Sequence, residues 1–183
     1  MRVSVLRLGH RKGRDARVTT HVGLASRAFG AGRIILSGDR DPAIMDSLRK
    51  VVENWGGDFG ISYEGDWQAF LKGFSGTKVH LTMYGLPVYQ VVEDLRQGDG
   101  EVLLVVGAEK VPGLVYELVD YNVSVTNQPH SEVSAVAVFL DRLFKGRELH
   151  REFPEGKRRI VPSAKGKEVI MQPRAQGGLP GND

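Results

Sequence analysis

The sequence predicts an α/β fold: a mostly parallel sheet with helices on both faces, followed by a small C-terminal β-hairpin. Three observations carry that expectation. Six short apolar runs recur along the first 126 residues, each of strand length. Helical patterns lie between them. Glycines at Gly32, Gly56, Gly57, Gly85 and Gly146 mark the ends of these segments.

The elements follow in order. "VSVLRL" (3–8) is the first predicted strand, and 18–30 the first helix. "RIILSG" (33–38) is followed by a helix over 42–55, and "DFGISY" (58–63) by one over 66–73. "KVHLTM" (78–83) leads to a helix over 87–97, and "EVLLVVG" (101–107) to a short one over 113–119. "YNVSVT" (121–126) is the last strand of the sheet. A long helix over about 130–145 comes next, with Val133, Ala137, Leu140 and Phe144 on one face. From 147 the chain becomes basic and rich in Pro and Gly, so the expected organisation is a domain over 1–146 and an extension over 147–183. Within the extension, "RRIVP", "SAKG" and "KEVI" spell strand, turn, strand. "AQGGLPGND" at the end is expected to be disordered.

Composition narrows the function. The chain's 183 residues suffice for one domain with a sizeable core. It has no cysteine, which excludes disulfides and thiolate metal sites. No apolar run approaches a membrane span, and "MRVSVLRLGHRKGRD" lacks an apolar signal core, so a cytoplasmic protein is expected. Charge is uneven. Residues 1–17 carry six Lys/Arg against one Asp, and 142–174 carry ten against four acids, whereas 18–141 carry nine against sixteen. Basic ends on an acidic middle suit a polyanionic partner such as nucleic acid, or are simply solvated.

In parallel sheets, ligands bind beyond the carboxyl ends of the strands. Four loops there are chemically unusual: "GHRKGRD" (9–15), "TMYGLP" (82–87), "GAEKVPG" (107–113) and "TNQPHSE" (126–132). Read singly, "GAEKVPG" and "TMYGLP" are ordinary strand-to-helix turns. Gly107 would permit close approach of a ligand to the backbone. "TNQPHSE" holds more polar groups than capping requires, although Ser131 is a natural N-cap. Arg27 stands among apolar helical residues, where it either snorkels to solvent or faces an anion. The five histidines lack metal-ligand spacing, and His80 inside a strand reads as a satisfied core residue. No nucleophile elbow, zinc-protease motif or phosphate-binding P-loop is present.

Taken together, the loops resemble the knotted SPOUT class of RNA methyltransferases. "HVGLASRAFG" is similar to their first motif, "LLVVGAEKVPG" to the second, and "NVSVTNQPHSEVSAVAVFL" to the third. "VLRLGHR", "RVTTHV", "VHLTMYG", "TNQPHSEV", "FLDRLFKG" and "IVPSAKGKEV" resemble one member family, the archaeal tRNA cytidine-56 2′-O-methyltransferases, over residues 3 to 170. His21 replaces the Asn of the first motif, and Glu132 an Asn of the third.

The resemblance implies a C-terminal deep trefoil knot, a homodimer whose active site uses both subunits, a tRNA substrate and no metal. It implies that S-adenosylmethionine lies against three loops. These are Leu81, Thr82, Met83, Tyr84 and Gly85; Gly107, Ala108, Glu109, Lys110 and Val111; and Val125, Thr126, Asn127, Gln128, Pro129, His130, Ser131 and Glu132. It makes Arg27 the catalytic arginine; because a guanidinium stays protonated, its expected part is to grip the adjacent phosphate and stabilise the developing alkoxide. Arg11, Lys12, Arg14 and Arg17 would hold the RNA backbone. The rivals are a methyltransferase of the same fold acting on another RNA, and a non-catalytic RNA-binding module.

Overall fold

The computed structural model describes residues 1–107 and 110–172. Ala108, Glu109 and the tail from 173 onward, including "AQGGLPGND", lie outside the described residues.

The order of elements is that expected. It runs β1 (Arg2–His10), α1 (Ala16–Ala28), β2 (Arg33–Gly38), α2 (Pro42–Trp55), β3 (Gly60–Tyr63) and α3 (Trp67–Gly73). It continues with β4 (Thr77–Pro87), α4 (Val88–Gln97), β5 (Glu101–Val106), α5 (Gly113–Leu118), β6 (Tyr121–Ser124) and α6 (Glu132–Phe144). Six strands form one sheet in the order β3-β2-β1-β5-β4-β6. Every pairing in it is parallel.

The alternation of side chains explains the unbroken apolar runs, because both faces of a parallel sheet are covered. Val3, Val5, Ile34, Leu36, Val102, Leu104 and Val106 point to one face and pack with Val22, Leu48, Val91 and Leu140 of α1, α2, α4 and α6. Leu6, Leu8, Ile35, Leu103 and Val105 point to the other, against Leu71 of α3 and Val115 of α5. Arg7 breaks the pattern: it is a buried cation on the first face.

β4 runs four residues past its expected end. Leu81 and Leu86 both register on Val123 of β6, so the residues between them loop out and the strand then resumes. α6 starts at Glu132 because Ser131 caps it, its hydroxyl accepting from the Ser134 amide at 3.3 Å.

After α6 come a single 3-10 turn, Arg147–His150, and the antiparallel pair β7 (Arg158–Val161) and β8 (Glu168–Met171). This extension is seated on the end of α2. The Gly57 amide donates to the Pro154 carbonyl at 2.7 Å, and the Lys157 amide to the Glu53 carbonyl at 3.3 Å. Among the described residues, no helix is long and apolar enough to cross a membrane.

Candidate active site

A cleft of about 470 Å³ opens at the carboxyl ends of β1, β4 and β5, between the N-termini of α1 and α6. That volume is in the range of small-molecule sites. Each wall is placed by a local feature of the chain.

The looped-out segment of β4 supplies Thr82, Met83 and Tyr84, below Leu81. Gly85 ends it because β6 passes too close for a side chain: a Cβ there would lie 2.4 Å from the Val123 nitrogen. The Asn127 amide ties the loop after β6 to this segment, donating to the Met83 carbonyl at 2.7 Å and the Gly85 carbonyl at 3.2 Å. From the end of β5 and the loop after it come Val106, Gly107 and Val111. The space beside Gly107 is taken by its own loop, since a Cβ would meet Val111 Cγ2 at 1.9 Å. His130, Ser131, Glu132 and Ala135 close the α6 side.

The β1 side is charged. Arg11 chelates Asp15 through Nε at 2.9 Å and Nη2 at 3.1 Å, which holds the Asp15 carboxyl below the usual carboxylate range. Arg14 also lines the cleft. Arg7 lies deepest, with 1 % of its surface exposed. Its Nη1 donates to the Leu8 carbonyl at 2.8 Å and its Nη2 lies 3.7 Å from Glu132 Oε1. Its Nε is buried without a hydrogen-bond partner among the described residues. Burial lowers its pKa. His80 lies at the back, with Nδ1 2.9 Å from Asn122 Oδ1 and its ring edge-on to Tyr116. Burial pushes its pKa down, so it is neutral near pH 7. Among the described residues, no three His, Asp or Glu side chains stand together as a metal site.

Residues 55–170 match the family described as tRNA ribose 2′-O-methyltransferase, aTrm56. A tRNA (cytidine(56)-2′-O)-methyltransferase from Methanopyrus kandleri is 54 % identical over 92 % of this chain and 96 % of its own. One of the same name from Methanocaldococcus jannaschii is 52 % identical over 94 % and 98 %. The chain belongs to the tRNA ribose 2′-O-methyltransferase family. The fold recurs at low identity among solved structures. The SpoU methyltransferase AviRb from Streptomyces viridochromogenes, in complex with AdoMet, aligns with a TM-score of 0.54 at 18 % identity, over 80 % of this chain and 58 % of that one. A TrmH/SpoU tRNA modifying enzyme from A. aeolicus aligns with 0.53 at 14 %, over 80 % and 75 %.

The cleft of this methyltransferase gathers only part of the expected residues. Leu81, Thr82, Met83, Tyr84, Gly107, Val111, His130, Ser131 and Glu132 line it, as do Arg11 and Arg14. Gly85, Lys110, Val125, Thr126, Asn127, Gln128 and Pro129 are not part of its lining, and Asn127 serves the β4 segment instead. Ala108 and Glu109 lie outside the described residues. Lys12 and Arg17 are exposed away from the lining, the Lys12 amide donating to Asp39 at 2.9 Å.

Arg27 is at the far end of α1. Its Nη2 donates to the Trp55 and Gly56 carbonyls at 2.9 and 2.6 Å, and its guanidinium lies 4.4 Å from the Phe153 ring centre. It faces a second, wider groove that includes Arg151, Arg158 and Arg159. Sequence reasoning passed over Arg7, Asp15, Tyr116 and the cleft-facing role of His80. For Arg7 a signal was available: a lone cation inside an apolar strand run.

Proposed function

We propose that this chain transfers a methyl group from S-adenosylmethionine to the ribose 2′-hydroxyl of cytidine 56 in the T-loop of tRNA. The observation that carries this reading is the near full-length identity, at 54 and 52 %, to relatives bearing that name. The cleft supports it. Its volume suits a nucleoside-sized ligand, its apolar lining from Leu81, Val106 and Val111 suits a base, and buried Arg7 supplies donors for an anionic group. We place the protein in the cytoplasm, with the knot and the homodimer that the resemblance implies.

When bound, the cofactor supplies an electrophilic methyl carbon on a sulfonium. The protein's own residues orient the hydroxyl and remove its proton. His130 is placed for the second task. Its Nδ1 lies 2.7 Å from the Gln128 carbonyl, which only accepts, so Nδ1 carries a proton and, in the neutral ring, the lone pair is on Nε2. Arg11 and Arg14 at the mouth offer cations to the phosphates flanking the target ribose. Arg27 takes part in methyl transfer only if a second chain brings it to the cleft. Mixed dimers of Arg27→Ala and His130→Gln subunits test this, because activity returns on mixing only if the two residues come from different chains.

The function is tested by methyl transfer to an unmodified tRNA transcript, with the product nucleotide mapped by mass spectrometry. A 2′-O-methylcytidine at position 56 is expected. A methylated nucleotide elsewhere would overturn the substrate assignment. Cofactor binding with no transfer to any tRNA position would favour another RNA.

A further inference from the structure

Arg7 and Glu132 are an unusual pair. They carry opposite charges and share one cleft, yet they stand 3.7 Å apart with no hydrogen bond between them. Burying a guanidinium is costly unless its donors and its charge are both met. Here the charge has no bonded anion. Asp15, the other carboxylate acting on Arg7, is held bidentately by Arg11. Nη1 meets one carbonyl, and Nε meets nothing among the described residues. Glu132 is in the opposite state. Its side chain is 30 % exposed and lies in the first turn of α6, where the helix dipole favours a negative charge without a cation bonded to it.

We propose, on the cofactor reading above, that Arg7 and Glu132 receive the zwitterionic amino-acid tail of S-adenosylmethionine, Arg7 taking the α-carboxylate and Glu132 the α-ammonium. An α-amino acid carries its two charges on neighbouring substituents of one carbon. It fits between a cation and an anion held slightly too far apart to bond each other. The guanidinium fork matches a carboxylate, and Arg7 lines the cleft with donors that no described carboxylate bonds. An RNA phosphate fits less well, because it carries a sugar on each side and Glu132 would repel it. The more exposed Arg11, whose side chain is 42 % accessible, is the better phosphate partner.

The test is a titration of wild type, Arg7→Met, Arg7→Lys and Glu132→Gln with three compounds. They are S-adenosylmethionine, its decarboxylated analogue, and 5′-methylthioadenosine, which lacks the whole tail. Wild type should bind S-adenosylmethionine about tenfold or more tighter than the decarboxylated analogue. That gap should vanish in Arg7→Met and shrink in Arg7→Lys. Glu132→Gln should weaken both tailed compounds alike. All variants should bind 5′-methylthioadenosine as wild type does, which also reports an intact pocket. The proposal is overturned if wild type shows no gap, a measurement that needs no variant to fold. It is equally overturned if the gap survives in Arg7→Met. A loss of tRNA affinity with the gap intact would give Arg7 to a phosphate instead. If none of the three compounds binds wild type, the cofactor reading itself fails.

Discussion

Helix α1 joins two charged regions that differ in kind. At its N-terminal end is the narrow cleft, where Arg7, Arg11 and Arg14 face Asp15 and Glu132. At its C-terminal end is a groove of about 1420 Å³, where Arg27, Arg151, Lys157, Arg158 and Arg159 face Glu53, Glu152 and Glu155 beside Trp55 and Phe153. Each region contains an arginine whose buried Nε has no hydrogen-bond partner among the described residues. Arg7 has one carbonyl and a carboxylate too distant to bond. Arg27 has two carbonyls and a ring, and burial, followed by the like charge of Arg151, lowers its pKa. The difference separates two uses of a guanidinium. Bound to backbone carbonyls it fastens one segment to another; left beside an unbonded carboxylate it is ready for a ligand.

Four measurements can break or sharpen that contrast, the largest effect first. Arg27→Ala should cost about 2–3 kcal/mol in chemical denaturation, by removing two charge-assisted bonds that fasten the 55–56 turn under the extension. Its affinity for S-adenosylmethionine should not change; a tenfold loss would mean that the two regions are coupled. Arg7→Met should show the reverse pattern, with cofactor affinity lower by about 1.4 kcal/mol and stability equal or higher. A large destabilisation would make Arg7 a structural group like Arg27. Asn127→Ala should cost about 1 kcal/mol of cofactor affinity, because the β4 segment loses two bonds to its carbonyls. Amide exchange at Thr82, Met83 and Tyr84 should accelerate with it.

The last measurement concerns Glu148, which is buried in the 3-10 turn after α6, beside Asp141. Burial, reinforced by nearby Asp141, pushes its carboxyl up. The folded state therefore holds this proton more tightly than the unfolded chain does. That stabilising contribution is complete below the unfolded carboxylate range and is lost as pH rises through the folded value. Glu148→Gln should gain about 1 kcal/mol near pH 7 and nothing near about pH 4, measured by urea unfolding at both. Equal effects at the two pH values would show that charge is not the cause.

Every strand and helix of the parallel sheet was legible in the sequence, because both faces are covered and the strands are mainly apolar runs. The bulge in β4 was not. There Leu81 and Leu86 both register on Val123, a pairing between distant segments that leaves no local pattern. The polar loop after β6 was legible as a site, but its division of labour was not. His130, Ser131 and Glu132 face the cleft while Asn127 holds a neighbouring loop, and only packing decides between those roles. Arg7 carried the one overlooked signal. A cation in an apolar run reads as an edge or a snorkelling residue until β5 is known to pair alongside it.

The central place of β1 has a consequence for biogenesis. It leaves the ribosome well before its partner β5, which begins at Glu101, the residue that registers on Arg2. α1, made next, packs against α6, the last helix of the sheet domain. At about 5–20 residues per second, the apolar faces of β1 and α1 wait several seconds for their covers. The sheet domain can therefore close only after α6, which ends at Phe144, has been synthesised.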